Sequence, residues 1–193
     1  MKRTELEHII RAAGEIASTK RIFIFGSQAI LAQFPRLQTY NLTASSFEKR
    51  SVALSREVLY RSNEADVMIP DSAEKTNLVD AMLGELSAFH NTFGYYAQGV
   101  DLTTSTLPQG WEARLVEICN ENTNGVSGLC LDIHDLIIAK LYAGRPKDFE
   151  FFGAVVELGL LSERTLATRL TETKISNERK KLIREQISRG FSK

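Results

Sequence analysis

Glu64 and Asp66 stand two residues apart in Glu64-Ala-Asp-Val-Met-Ile69, a stretch that reads as a strand ended by Pro70. On a strand that spacing sends both carboxylates out of one face. Asp101 falls on the next predicted strand. Three carboxylates on one face repel each other unless a cation neutralises them. Mg²⁺ suits that task, because it takes a few carboxylates together with phosphate oxygens and water. Two such ions can hold the entering and leaving oxygens of a phosphoryl or nucleotidyl transfer. The charge balance around these acids agrees: from Ser62 to Asp101 there are seven acids (Glu64, Asp66, Asp71, Glu74, Asp80, Glu85, Asp101) and one base, Lys75. The plainer alternative is that Glu64 and Asp66 form the solvated face of an edge strand.

Gly26-Ser27 is the second feature. It follows the apolar run Arg21–Phe25, whose length suits a buried strand, and precedes a short helix from Gln28 to Phe34. Glycine lets the backbone approach a ligand closely. The N–H groups opening the following helix point at a bound anion, and the Ser27 hydroxyl adds a donor. A tight turn with no ligand is the alternative.

Lys140 is the third. It sits at helical spacing among Leu136, Ile137 and Leu141, close to a buried stripe. Lysine is rare there unless its head reaches water or an acid. A phosphate-filled cleft would satisfy it; so would a surface position, or an internal salt bridge from Lys140 or Arg145 to Asp148. His134 reads as a structural hydrogen-bonding residue, and His8 and His90 carry no chemical signal. Trp111 and the Leu-Pro-Gln-Gly-Trp turn are expected to pack the sheet edge. Tyr95 and Tyr96 offer rings for stacking on a base, although one of them must face the core.

The elements that hold these residues follow from periodicity. Thr4 and Glu7 suggest a capping box opening an amphipathic helix from 4 to 18. Asp71 and Glu74 suggest another, opening a helix that buries Leu78, Val79, Met82, Leu83 and Leu86. Phe93 to Leu102 reads as a strand, and Leu115–Cys119 with Leu129–Ile133 as a hairpin. Asn41 to Ser46 is turn-rich, and Phe47 to Arg61 has a weak helical pattern with a net charge of +3 over 36–61. Residues 36–63 therefore read as an insertion carrying a short helix. From Asp132 onward four helices follow, over 132–144, 147–158, 162–171 and 176–189. The expected fold is α+β: a mixed sheet flanked by helices over 1–131, then a helical part over 132–193.

The chain of 193 residues is 43% apolar and 25% charged, ordinary globular values that exclude wholesale disorder. Its formal net charge is zero, so any nucleic-acid contact needs a local patch. One exists: from Ser162 to Lys193 there are nine Lys or Arg and four Glu, against a net of −5 for the remainder. This end would suit an RNA backbone, or would simply be a solvated helix face. Cys119 and Cys130 exclude a disulfide-dense scaffold and are expected to be buried, reduced thiols. No apolar run is long enough to span a membrane, and the N-terminus lacks the apolar core of a secretion signal. A cytoplasmic protein is expected.

The segments IFIFGSQAIL (22–31), SNEADVMI (62–69) and GVDLTTSTLPQGW (99–111) resemble the DNA polymerase beta-type nucleotidyltransferase superfamily. The segment LDIHDLIIAKLYAGRPKDFEFF (131–152) resembles the late block of AbiEii-type and MenT-type toxin nucleotidyltransferases. That resemblance implies a nucleotidyltransferase-like fold and transfer of an NMP from an NTP to an acceptor with Mg²⁺. By it, Gly26 and Ser27 hold phosphate. Glu64, Asp66 and, with them, Asp101 hold metal. Lys140 meets the triphosphate, Asp148 lies in the active site, and Arg145 beside it faces phosphate. It further implies an acceptor such as a tRNA end and a separate antitoxin protein. Two departures favour a non-catalytic interaction or antitoxin-like module instead: the first acid is Glu where the superfamily usually has Asp, and 36–61 lengthens the gap from Ser27. A metal-dependent nuclease would use the same acids but leaves Ser27 and Lys140 without a triphosphate to bind.

Overall fold

The computed structural model describes residues 1–35, 46–70 and 72–192, without the side chains of 46–51 and 104. The turn-rich stretch 41–45, Arg36 and Asp71 lie outside the described residues. The helices are α1 (Arg3–Ala17), α2 (Ile30–Gln33), α3 (Ser46–Tyr60), α4 (Ala73–Leu83), α5 (Ala88–Phe93), α6 (Ile133–Ala143), α7 (Pro146–Glu157), α8 (Glu163–Glu172) and α9 (Asn177–Phe191). The strands are β1 (Arg21–Phe25), β2 (Glu64–Met68), β3 (Tyr96–Gly99), β4 (Val116–Ile118) and β5 (Ser127–Cys130). The fold is α+β, and the five strands form one mixed sheet in the order β3-β2-β1-β5-β4. β1 runs antiparallel to β2 and parallel to β5. β2 and β3 are parallel, and β4 and β5 form the antiparallel hairpin.

The described chain divides into two compact units. The first takes Met1–Pro35, Tyr60–Thr104 and Leu115–Asp132; the second takes Arg36–Leu59, Ser105–Arg114 and Ile133–Lys193. In the first unit the sheet has two chemically different faces. Ile22, Ile24, Ala65, Val67, Ala97 and Cys130 alternate onto one face and are fully buried. α1 lies on that face and packs against α4, with Leu6, Ile9, Ile10 and Ala13 wholly covered. A Cβ on Gly128 would fall 2.4 Å from Ile10 Cδ1, so the close seating of α1 on β5 requires glycine. The register Phe25 to Asp66, Glu64 to Tyr96 and Asp66 to Gln98 puts aromatic, acidic and amide side chains together on the opposite face. In the second unit Ile137, Leu141, Val155, Leu166 and Ile183 form the core between α6, α7, α8 and α9.

Several local expectations differ from the structure. α1 is capped at Lys2, whose N–H donates to Glu5 at 2.6 Å. Glu7 is instead buried and accepts from Arg3 at 2.8 Å, Asn120 at 2.8 Å and Asn122 at 2.7 Å, tying α1 to the β4–β5 connection. Ser72 caps α4 by accepting from the Lys75 N–H. Leu78, Met82 and Leu86, expected inside, are 46%, 54% and 79% exposed. Thr76 takes one inward position instead, and its hydroxyl accepts the Ile69 N–H at 3.0 Å. The predicted strand 93–102 shortens to Tyr96–Gly99, because Phe93 closes α5 and Gly94 ends it in the left-handed region (φ 77°). Cys130 is buried but Cys119 is exposed, and both are free thiols. The segment 105–114 belongs to the helical unit and not to the sheet edge: Pro108 bridges to Thr173, and the Gln109 N–H donates to the Glu172 carbonyl at 3.1 Å. Among the described residues no helix is long and apolar enough to cross a membrane.

Candidate nucleotide and metal site

In the first unit the chain leaves β1 at Gly26 with φ 64° and ψ −168°, a conformation open essentially to glycine alone. A Cβ there would lie 1.8 Å from Asp66 Oδ2 and 2.7 Å from its Cγ. The Asp66 carboxylate therefore rests directly on the Gly26 backbone, in space that any other residue would fill. Ser27–Ala29 is a single 3-10 turn and α2 adds only Ile30–Gln33. The anion-binding helix end expected here thus carries little macrodipole; what the turn offers is backbone N–H groups and the Ser27 hydroxyl. Gln28 is fully buried, and its Nε2 donates to the Ser62 carbonyl at 3.3 Å. Ser62 Oγ in turn accepts the Glu64 N–H at 3.2 Å, which links the Gly-Ser turn to the start of β2.

Glu64 lies across the sheet from Tyr96, whose hydroxyl donates to Glu64 Oε2 at 3.0 Å. Burial first, and then the Glu64 carboxylate, push the Tyr96 phenol up to about 12. Its ring packs on His90 with centroids 4.7 Å apart, and His90 Nδ1 accepts the Leu86 N–H at 3.0 Å. Glu64, Asp80, Glu85, Tyr96 and Gln98 line a cleft of about 300 Å³. Asp80 Oδ1 accepts the Gly99 N–H at 2.7 Å, so this acid also fixes the end of β3.

Asp101 is placed differently from Glu64 and Asp66. It lies past the end of β3 and is exposed, and its Oδ1 accepts the Thr103 N–H at 2.7 Å. That hydrogen bond holds its carboxyl below the ordinary value. On β3 the residues facing the same way as Glu64 and Asp66 are Tyr96 and Gln98. Among the described residues no group of three or more His, Cys, Asp or Glu gathers closely enough to hold a metal ion.

In the second unit Lys140, Arg145 and Asp148 form one cluster. Asp148 is fully buried in the first turn of α7. Lys140 Nζ donates to its Oδ1 at 3.1 Å, and Arg145 Nε to its Oδ2 at 2.7 Å. The Arg145 N–H adds a third contact at 3.3 Å and closes the start of α7. Burial alone would raise the Asp148 carboxyl, but Arg145 and Lys140 outweigh it and hold it below the usual aspartate range. Lys140 is only 7% exposed, and its ammonium stands 4.6 Å over the Phe151 ring. The internal salt bridge considered for this lysine is therefore present.

A second buried acid was not singled out from the sequence. Asp135 is fully covered, accepts from Arg114 Nε at 2.8 Å and Nη2 at 3.0 Å, and is ion-paired with Arg169, whose Nε lies 3.2 Å away. It fastens the 105–114 segment and α8 to α6. The signal available was its inward helical spacing, three residues before Ile138. His134 Nε2 accepts the N–H of Ser162, the residue that caps α8, as a structural hydrogen-bonding residue would.

Residues 4–188 match a family described as nucleotidyltransferases of unknown function, DUF6036. The chain belongs to this family. No curated protein and no solved structure matches it. The nucleotidyltransferase family thus covers both units, the Gly-Ser turn and the Glu64-Ala-Asp66 strand of the first and the Lys140–Asp148 cluster of the second.

Proposed function

We propose that this nucleotidyltransferase moves an NMP from an NTP to an acceptor with Mg²⁺, and that Glu64 and Asp66 hold the metal. The observation that carries the reading is the seating of the Asp66 carboxylate on the Cβ-less Gly26, beside the turn that would meet phosphate. The donor set fits Mg²⁺, which needs only one or two carboxylates when substrate phosphates supply further oxygens. When bound, Mg²⁺ would neutralise the triphosphate and the developing charge on the leaving pyrophosphate. Ser27 and the amides of its turn would donate to phosphate oxygens. In this reading Lys140 and Arg145 offset triphosphate charge, and Asp148 keeps the Lys140 ammonium in one orientation. Asp101, outside the pair, would take the proton of the attacking hydroxyl or complete the metal set once substrate is bound. Such catalysis is mostly positioning and charge neutralisation, so loss of one metal-holding acid removes most of it.

The resemblance to AbiEii-type and MenT-type toxins suggests an RNA acceptor, such as a tRNA end, and a toxin role balanced by a separate antitoxin. The exposed cations Lys174, Lys181, Arg184 and Arg189 on the C-terminal segment would meet its backbone. Arg169 is engaged with Asp135 and Glu172, and Lys180 with the Thr171 carbonyl at 2.9 Å, so the patch has fewer cations to offer than its composition implies. A non-catalytic module is the second reading, favoured by Asp101 lying off the strand and tied to Thr103.

Incubation with each radiolabelled NTP, Mg²⁺, total RNA and cell protein separates the two. Label entering one fraction, and lost in Asp66→Ala, supports transfer and names base and acceptor. Absence of label in every fraction, with no NTP binding by calorimetry, favours the module.

A further inference from the structure

We propose that Tyr96 is a positioning residue for Glu64, and that the pair explains why the first acid of the strand is Glu. The inference rests on Glu64 and Asp66 holding metal. Glu64 and Tyr96 are direct register partners on parallel neighbouring strands and emerge from the same face. A tyrosine hydroxyl stands well above the sheet, at the far end of its ring. The carboxylate that meets it must rise to the same height, and Glu is one methylene longer than Asp. The result is the 3.0 Å hydrogen bond from the Tyr96 hydroxyl to Glu64 Oε2.

The support behind Tyr96 is itself built. Its ring lies against His90 at 4.7 Å between centroids, and His90 is held by the Leu86 N–H through Nδ1. Leu86 adopts φ 63° despite being exposed, which places that N–H at the ring. The chain of contacts runs from Leu86 through His90 and Tyr96 to one oxygen of Glu64. Among the described residues the other oxygen, Oε1, accepts no hydrogen bond, and Glu64 lines the cleft. A flexible acid is thereby reduced to one orientation before any ion arrives, and that lowers the ordering cost of binding.

The test is Mn²⁺ binding to the protein, alone and with a non-hydrolysable NTP analogue against a protein-free control, read as loss of the electron paramagnetic resonance signal of free Mn²⁺. It needs no activity. Four proteins are compared: wild type, Tyr96→Phe, Glu64→Asp and the double variant. Tyr96→Phe keeps the ring against His90, and an unchanged thermal midpoint verifies that the fold is intact. The expected result is roughly tenfold weaker binding for Tyr96→Phe, a similar loss for Glu64→Asp, and no further loss in the double variant, because both single changes break the same contact. Equal binding by Tyr96→Phe and wild type overturns the inference alone, as does a double-variant loss equal to the product of the two single losses. Wild-type protein that binds no Mn²⁺ beyond the protein-free control either alone or with the NTP analogue, or binding that survives Asp66→Ala, overturns the metal reading and this inference with it.

Discussion

Asp148, like Asp135, is a fully covered carboxylate that answers two cations, here Lys140 and Arg145. Removing one member of such a group leaves a buried charge without its partner. Asp148→Ala is expected to cost about 3–5 kcal/mol, measurable by urea unfolding. The pH dependence has a definite sign. The folded carboxyl titrates below the ordinary value of 3.8, so its contribution is present above that value and is lost as pH falls through the lower folded value. Wild-type stability should therefore fall as the solution is acidified below about pH 4, and Asp148→Asn should start lower and flatten that limb. A limb of equal slope in the variant would show that other acids govern it. Gly26→Ala is a steric test. Its methyl would overlap Asp66 Oδ2 and its φ of 64° is strained for alanine, so a loss of about 1–3 kcal/mol is expected, together with weaker Mn²⁺ binding as Asp66 is displaced. Retained affinity would mean that the Gly26–Asp66 contact does not shape the metal site.

α4 shows how an element can be predicted correctly and oriented wrongly. Its helical character follows from local propensity and capping, and a helix forms where one was expected, although Ser72 caps it and it ends at Leu83, short of Leu86. Its inward face was misread because Leu78, Val79, Met82 and Leu83 are apolar on more than one side, so periodicity does not select a stripe. The structure buries Thr76, Val79 and Leu83. Leu83→Ala is expected to destabilise by about 2–5 kcal/mol, whereas Leu78→Ser and Met82→Ser should each change stability by no more than about 0.5 kcal/mol. Thermal or urea unfolding of the three variants checks the assignment, and a large loss in Leu78→Ser would reverse it. β3 went the other way: ten residues looked extended, but Gly94 at φ 77° stops α5 just before the strand and Gly99 ends it. That shift by itself takes Asp101 out of the sheet.

At the scale of the molecule, the candidate chemistry is divided between two compact units, with Gly26, Glu64, Asp66 and Tyr96 in one and Lys140, Arg145 and Asp148 in the other. If both serve one reaction, changes in either must lower it without a common loss of fold. Lys140→Met keeps the apolar stem over Phe151 and leaves Asp148 paired with Arg145. It is expected to reduce nucleotidyl transfer by about a hundredfold at a temperature where circular dichroism shows the variant still folded, although its thermal midpoint falls because Asp148 loses one of its two cations; full activity in this variant would assign Lys140 to structure alone. The helical unit also carries the Arg114–Asp135–Arg169 group, which the linear pattern concealed because its three members are far apart in the chain.

The amino-acid order by itself determined what depends on near neighbours. Alternation over Glu64–Met68 put two acids on one face, and the Gly-Ser pair after an apolar strand marked the turn beside them. The inward spacing of Lys140 likewise called for an acid, and Asp148 was named as a candidate. The tertiary structure decided what depends on pairing between distant segments. Strand register set Tyr96, not Asp101, opposite Glu64, and contact across the sheet made Gly26 the floor under Asp66. Register and packing are settled by burying a whole face at once, and no window along the chain contains that sum.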